Sequence, residues 1–361
     1  MPDTNLRYRL GRIFKNANFE KLLIINTDSM DSNFLYLSGF TQGIFEQSMI
    51  IADTSGATLI TSDLEYDIAK KQAPKWLEVE KAGSVHELRS KIHGHIGRET
   101  AGLDMEFLPC NYLKFLKKYA PGARFVDASK SLAGAREIKD ESELEKIRNA
   151  VRITKRSIEE TAEYFKAGMS EKELKARFEF ILSSSGSDKT AFDSIVSFGA
   201  NTALPHHMPD NSGLKPNEFL LMDVGAKYEN YCADITRTFI FKPDKSSEKY
   251  KRMVRIYETV QKAQEIGLEN LKAGADGSTA HNAVAEFINT AAGGIYKGRF
   301  THSLGHQIGI DVHDGIGPTT TKKTMLENMV VSDEPGIYIY GFGGVRLEDD
   351  VIIKKNASKF I

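Results

Sequence analysis

Residues Phe219–Ala226 read FLLMDVGA, an apolar strand interrupted by a single aspartate. Strand interiors disfavour Asp, and burying a carboxylate without a partner is costly, so the fold must bring something to Asp223 that neutralises it. Eleven residues further on, Asp234 lies in YCADITRTF, a segment rich in β-branched and aromatic residues. The intervening KYEN is a turn, so 219–241 folds as a hairpin and the two carboxylates can meet. Either aspartate alone could simply pair with a basic side chain, Arg237 being the nearest in sequence.

The C-terminal region supplies a second acidic pair. Glu334 ends the strand VVSDE, which Pro335 and Gly336 stop, and Glu348 lies in GVRLEDDVII. Strand alternation puts Arg346, Glu348 and Asp350 on one face. The element order around the two pairs also repeats. A helix over about 140–166 opens with the Asp140/Glu143 capping box and a second with Ser170/Glu173, followed by a strand at 192–198 and the hairpin at 219–241. Helices near 247–272 and 278–291 then lead to a strand-like HSLGHQIGIDVHD and a final strand pair, MVVSDEPGIYIY and GVRLEDDVII. A duplicated unit, two helices and a hairpin in each half, is expected from this order, although no sequence identity links the halves.

Between the acidic hairpins, His302, His306 and His313 fall within twelve residues of a chain that has only nine histidines. One histidine is usually structural or solvated; three in a Gly-punctuated apolar segment point to a site. HSLGH has the spacing of a zincin pair but lacks its Glu, and its glycines oppose the helix that motif needs. Four carboxylates and one imidazole form a hard-donor set. Two divalent cations balance the four negative charges, whereas one leaves an excess of about two, so a dinuclear centre is expected. Two ions about 3.5–4 Å apart lower the pKa of a water and polarise a carbonyl, which is what hydrolysing an amide requires. No GxSxG elbow or P-loop is present, and GFGGV at 341–345 does not match a dinucleotide fingerprint.

With 361 residues the chain is long enough for two domains. In the first, 1–138, KLLIIN, SMIIAD, ATLITS and RFVDAS read as strands and the segments around 5–18, 85–96 and 108–119 as helices, an α/β domain. The sequence turns small and polar from Ser129 to Asp140, which places the boundary there and leaves 139–361 as the second domain. Lys plus Arg (48) nearly cancels Asp plus Glu (49), which gives no broad basic face for nucleic acid or a membrane surface. Any polyanion partner would need a local patch. No run approaches the roughly 20 apolar residues of a membrane helix. Two cysteines, Cys110 and Cys232, make no disulfide framework, and the N-terminal residues lack a signal peptide's apolar stretch, so a reducing, cytoplasmic location is expected.

The segments NFLYLSGF (33–40), TALPHHMP, MDVGAKYENYCADITRTF, HSLGHQIGIDVHD, DEPGIYIY and GGVRLEDD occur in an order that resembles the pita-bread (M24) metallopeptidases, specifically their proline-peptidase branch. That resemblance implies an α/β creatinase-like N-terminal domain. It also implies an α+β pita-bread catalytic domain with an internal pseudo-twofold duplication. It makes Asp223 the ligand of one metal, Asp234 and Glu348 the bridging carboxylates, and His306 and Glu334 the ligands of the other. Two divalent ions per chain follow, Mn²⁺ or Co²⁺ ahead of Zn²⁺ or Fe²⁺. Glu334 also becomes the proton shuttle, His206 and His302 line the proline side of the pocket, and His313 donates to the scissile carbonyl. His207 is the less favoured neighbour of His206, Arg346 orients the acids, and Thr236 supports Asp234. The implied substrates are dipeptides or short peptides with Pro in second place, and the implied assembly is a homodimer. Two departures from the family pattern stand out. Gln307 replaces a small residue and would narrow or rehydrate the site, and Gly317 stands where an Arg would anchor a dipeptide's carboxylate, with Lys322 and Lys323 as mobile substitutes. The alternatives are an inactive binding module on the same scaffold, a non-proline aminopeptidase, and a metal-free creatinase-like enzyme.

Overall fold

The computed structural model describes residues 2–361. The chain divides into two compact units, Met1–Glu137 and Ile138–Ile361. In the first, helix α1 (Pro2–Phe14) leads into strand β1 (Lys21–Ile25), helix α2 (Ser32–Ser38) and strands β2 (Met49–Ala52) and β3 (Ala57–Thr61). Helix α3 (Tyr66–Gln72), strand β4 (Leu77–Lys81), helix α4 (Val85–Ile96), strand β5 (Thr100–Leu103), helix α5 (Cys110–Tyr119), strand β6 (Arg124–Asp127) and helix α6 (Ser129–Glu137) follow. The six strands form one sheet in the order β4-β3-β2-β1-β5-β6. Its β1, β2 and β3 ladders are antiparallel and its β1–β5, β5–β6 and β3–β4 ladders parallel. Leu23, Ile25, Met49 and Ile51 of the sheet are buried against Ile92 and Ile96 of α4 and Leu116 of α5.

Three elements of this unit escape the sequence pattern. The small, polar stretch from Ser129, where the boundary is placed, is helical up to Glu137: α6 buries Leu132 and Ala135, and its first amide, Ser129 N, donates to Asp127 Oδ1 at 2.9 Å. β4 and β5 are missed by pattern because LEVEK alternates charge with apolar side chains and TAGL is short. Gly102 in β5 is required by packing, since a Cβ there would lie 2.8 Å from the Phe19 ring.

The second unit begins with helices α7 (Glu141–Ala162) and α8 (Glu171–Ser184), both opened by complete capping boxes at Asp140/Glu143 and Ser170/Glu173. Strands β7 (Lys189–Thr190) and β8 (Ile195–Phe198) and a 3₁₀ turn at Gly199–Ala203 precede β9 (Glu218–Val224), β10 (Ala226–Tyr228), β11 (Tyr231–Cys232) and β12 (Ile235–Phe241). Helices α9 (Glu248–Asn270) and α10 (Gly277–Gly294, kinked at 291–293) lead to β13 (Val330–Asp333), β14 (Gly336–Ile339), β15 (Gly343–Arg346), β16 (Asp349–Ile352) and β17 (Lys359–Phe360). The order of two helices followed by a hairpin therefore recurs in each half. Met253, Ile256, Val260 and Ala263 of α9 and Val284 and Ile288 of α10 form a fully buried core with Val331, Ile337, Val345 and Val351 of the second hairpin.

Each hairpin is bent rather than continuous. The first is a β9–β12 ladder followed by a β10–β11 ladder, broken at Gly225 and at Ala233–Asp234. The second is β13–β16 followed by β14–β15, broken at Glu334–Pro335 and Leu347–Glu348. The expected uninterrupted final strands are thus four short ones. Pro335 has no amide to donate, so the ladder ends there and the chain turns its side chains inward. The strand expected over HSLGHQIGIDVHD is also mostly irregular. Only 304–308 runs beside β13, through Glu334 N→Leu304 O, Ser332 N→His306 O and Ile308 N→Val330 O, each 2.9 Å. No helix among the described residues is long and apolar enough to cross a membrane.

Candidate metal centre

The two hairpins meet along β12. Thr238 Oγ1 donates to Arg346 O (2.8 Å), Glu348 N donates to Thr236 O (3.2 Å), and Asp234 N donates to Asp350 Oδ2 (3.2 Å). The register steps by two on both chains, so the side chains that alternate inward, including Thr236, Asp234, Arg346, Glu348 and Asp350, gather along one seam. Ligand atoms of Asp234, His306 and Glu348 lie within 4.8 Å of one another. Glu334 joins them, its Oε1 3.5 Å from His306 Nε2, while Asp234 Oδ2 is 3.6 Å from the same nitrogen. Asp223 stands beside this group, and Arg346 Nη2 donates to its Oδ2 at 2.7 Å.

The electrostatics of this cluster call for cations. Burial, compounded by Glu348 and the other acids, drives the pKa of Asp234 well above the carboxylate range, and burial with Glu334 as neighbour does the same to Glu348. Burial also pushes Glu334 up to about 8 and lowers His306 to about 4, so the imidazole is neutral. Nδ1 of His306 lies 3.3 Å from Gln307 O, a contact that puts its proton there and leaves the Nε2 lone pair facing two carboxylates. Asp223 Oδ1, Asp234 Oδ1 and Glu348 Oε1 are buried without a hydrogen-bond partner. These three oxygens have no protein donor to satisfy them, and divalent cations fit a donor set of such carboxylates grouped with a neutral imidazole.

Around the acids, Arg346 donates to Asp223 through Nη2, to Thr236 Oγ1 through Nε (3.0 Å), and to the Tyr338 hydroxyl through Nη1 (2.8 Å). Thr236 supports Glu348, donating to its Oε2 at 2.6 Å, and not Asp234. The reason is register, since Thr236 lies opposite Glu348 across the seam. Arg237 neutralises neither aspartate of the first pair; it binds Asp349 Oδ1 at 2.8 Å. Gln307 does not enter the site, because its fully buried amide donates to Ile316 O at 2.8 Å and braces the 314–317 loop. A Cβ on Gly317 would lie 2.5 Å from His306 Cα, so no side chain fits where the anchoring Arg was sought. Lys323 N donates to Asp276 Oδ1, the N-cap of α10.

The histidines separate into two groups. His302 is part of a chain of bonds: Nδ1 lies 2.8 Å from Ser303 O and Nε2 2.8 Å from Tyr338 Oη. Burial lowers its pKa to about 4, which makes it neutral, and the network assigns its proton to Nδ1. His313 lies with its ring centroid 4.0 Å from that of His306, tilted by 55°, and is exposed, as is His206. His207 points away to Glu171 Oε2 at 2.7 Å. Glu171 also accepts from Phe198 N, Asn201 Nδ2 and Asp210 N, so its grouping with His207 and Asp210 is already satisfied by protein donors.

Tyr338 and Ser332 were not anticipated. Tyr338 reaches Arg346 by folding its ring over Gly336, where a Cβ would lie 2.4 Å from the hydroxyl. Ser332 Oγ accepts from His306 N and donates to Glu334 Oε1 (3.2 Å). Period-two counting back and forward from Glu334 would have found both.

The profile of metallopeptidase family M24 matches residues 145–355, and that of the creatinase/prolidase N-terminal domain matches 7–138. The chain belongs to metallopeptidase family M24. An Xaa-Pro dipeptidase of Pyrococcus horikoshii is 33% identical over 91% of this chain and 89% of its own. Among solved structures, an Xaa-Pro dipeptidase of Bacillus anthracis superposes with a TM-score of 0.88 at 29% identity, covering 99% of this chain and 97% of its own. An X-Pro aminopeptidase of Thermotoga maritima gives 0.87 at 32% identity and 97% of both chains. This M24 metallopeptidase therefore has an α/β creatinase-type domain followed by the catalytic domain.

A stability measurement checks the donor set. Addition of Mn²⁺ or Co²⁺ at about 100 times its dissociation constant to the chelator-treated peptidase is expected to add about 2.7 kcal/mol per site, read by calorimetry as a higher Tm. Asp234→Asn should lose most of that gain. An unchanged Tm with Mn²⁺, Co²⁺, Zn²⁺ and Fe²⁺ alike would sink the metal assignment.

Proposed function

We propose that the protein hydrolyses the peptide bond between an N-terminal residue and proline in dipeptides or short peptides, with two divalent ions held by Asp223, Asp234, His306, Glu334 and Glu348. The observation that carries the reading is the grouping of Asp234, Glu334 and Glu348 with His306 in an M24 peptidase, with oxygens of Asp234, Glu348 and the neighbouring Asp223 left buried without a hydrogen-bond partner. The full-length similarity to an Xaa-Pro dipeptidase and an X-Pro aminopeptidase supports the choice of substrate. Mn²⁺ or Co²⁺ are the favoured ions, with Zn²⁺ or Fe²⁺ as substitutes. Bound there, they supply Lewis-acid polarisation of the carbonyl and an acidified water.

The chain's own residues do the rest. Glu334 takes a proton from the attacking water and delivers it to the leaving proline nitrogen, a task suited to a carboxyl whose surroundings raise its proton affinity. His313 donates a hydrogen bond to the carbonyl oxygen as negative charge develops on it. His206 and His302 bound the proline ring, with neutral His302 held in place by Tyr338. Arg346 fixes Asp223, and with Thr236 it fixes Glu348 in turn. We further propose a homodimer in a reducing, cytoplasmic compartment, in keeping with two free cysteines, Cys110 and Cys232.

The test is hydrolysis of Ala-Pro beside Ala-Pro-Ala by chelator-treated protein given Mn²⁺, Co²⁺ or Zn²⁺ one at a time. Metal-dependent release of alanine is expected. Cleavage of the dipeptide alone makes the enzyme a dipeptidase that anchors the free carboxylate without a side chain at 317, and preference for the tripeptide makes it an aminopeptidase P. Silence toward both peptides in every metal overturns the proposal in favour of a binding role for the scaffold.

A further inference from the structure

A groove of about 930 Å³ lies between α7 and the β16–β17 edge, and none of its lining residues belongs to the acid centre. Its charge is lopsided for a chain whose net charge is −1. Arg148, Arg152, Lys155, Arg156, Lys354 and Lys359 line it against one acidic side chain, Glu159, and Ile361. Three of these cations are ladder-spaced on α7: Arg148, Arg152 and Arg156 recur every fourth residue and all three are exposed. Like charges four apart on a helix repel, and little nearby relieves them. Arg148 meets Glu141 at 2.6 Å, and Lys155 meets Asp349 at 2.8 Å and donates to Ile361 O at 2.6 Å. Arg152 has only the neutral Asn149, and Arg156 and Lys359 have no acidic partner among the described residues. Beneath the cations the floor is apolar, formed by Val151, Ile352 and the partly exposed ring of Phe360.

We infer that this groove binds an organic polyphosphate: a chain of phosphates along the arginine row, with an aromatic or apolar body on the Val151–Ile352–Phe360 floor. Guanidinium groups match phosphate oxygens two at a time, which a row of lysines would not do. The volume falls within the range of small-molecule sites, with an apolar lining and a few charged groups that fix orientation. Two other occupants fit less well. The row from Arg148 to Arg156 rises only about 12 Å, too short to track a nucleic-acid backbone. The edge strand β17 has two residues, too few for a peptide to add as a new strand.

The test titrates the metal-loaded enzyme with ATP and, separately, with sodium tripolyphosphate, both with Mn²⁺ in excess. Binding of ATP is expected to weaken about tenfold between about 50 and 200 mM salt, and to fall about 100-fold in the charge-reversed double variant Arg152→Glu/Arg156→Glu. That variant leaves peptide hydrolysis intact, because neither side chain belongs to the acid centre, and retained hydrolysis also reports that it is folded. Phe360→Ala should weaken ATP and leave tripolyphosphate unchanged. Equal affinity for the two probes keeps the phosphate site but assigns it to an inorganic chain. No binding of either probe at about 1 mM overturns the proposal, and so does binding that survives the double variant and competes with peptide substrate, which would place the phosphates at the metal centre.

Discussion

The Glu334→Gln enzyme, saturated with metal, is expected to lose between about 10² and 10⁴ in kcat toward Ala-Pro or Ala-Pro-Ala, with a much smaller change in KM. Glutamine keeps the size of the side chain and can still accept the Ser332 hydroxyl, so the second hairpin should keep its bend. What is removed is a group that can pick up a proton from water and release it to the leaving nitrogen. The same carboxylate is a proposed metal ligand, so the measurement needs a metal count beside it. A variant that binds two ions and is still slow assigns the loss to proton transfer. A variant that is slow only because it binds one ion, and recovers when metal is raised, reduces Glu334 to a ligand. Full activity with full metal occupancy would remove Glu334 from the chemistry altogether.

The residues that carry this prediction were legible in the sequence because acids in apolar strands contradict local preference, and such contradictions mark sites. Asp223 stands out for that reason, and Asp234, Glu334 and Glu348 stand out because they complete two acid-bearing hairpins, one in each half of the domain. Their supporting residues did not, because a threonine, a tyrosine or a serine in a strand contradicts nothing. The family resemblance implies that Thr236 supports Asp234, yet the seam between the two hairpins puts it opposite Glu348. Only the register across that seam, a long-range property, decides the matter. Helices showed the converse pattern. The Asp140 and Ser170 capping boxes are local motifs and fixed the starts of α7 and α8, whereas α6, with no box and a composition of small residues, was hidden until packing of Leu132 and Ala135 was visible.

Glycines were the least legible, and they support the second large prediction. Gly225 follows Asp223 by two residues, and a Cβ on it would lie 1.9 Å from Ala233 O, the carbonyl just before Asp234. Gly305 precedes His306, and its Cβ would lie 2.1 Å from Ser332 O, two residues before Glu334. In the first hairpin, and again where the 304–308 segment runs beside β13, a glycine lets the backbones that carry two proposed ligands touch. The obstacle in each case is a main-chain carbonyl, which cannot rotate aside as a flexible side chain would. Gly225→Ala is therefore expected to destabilise the protein by about 3 kcal/mol, the upper end of overpacking effects. Because the displaced strands carry Asp223 and Asp234, it should also weaken metal binding by about 10–100-fold, as loss of a supporting contact does. Urea unfolding and metal titration of the variant read the two effects separately. Gly94→Ala is the control: in the interior of α4 with nothing within 4 Å, it should be neutral or stabilising by about 0.5–1 kcal/mol. If Gly225→Ala behaved like Gly94→Ala, the hairpin would be able to open at its bend without moving its aspartates, and the tight backbone contact would not be what sets the spacing of the proposed metal ligands.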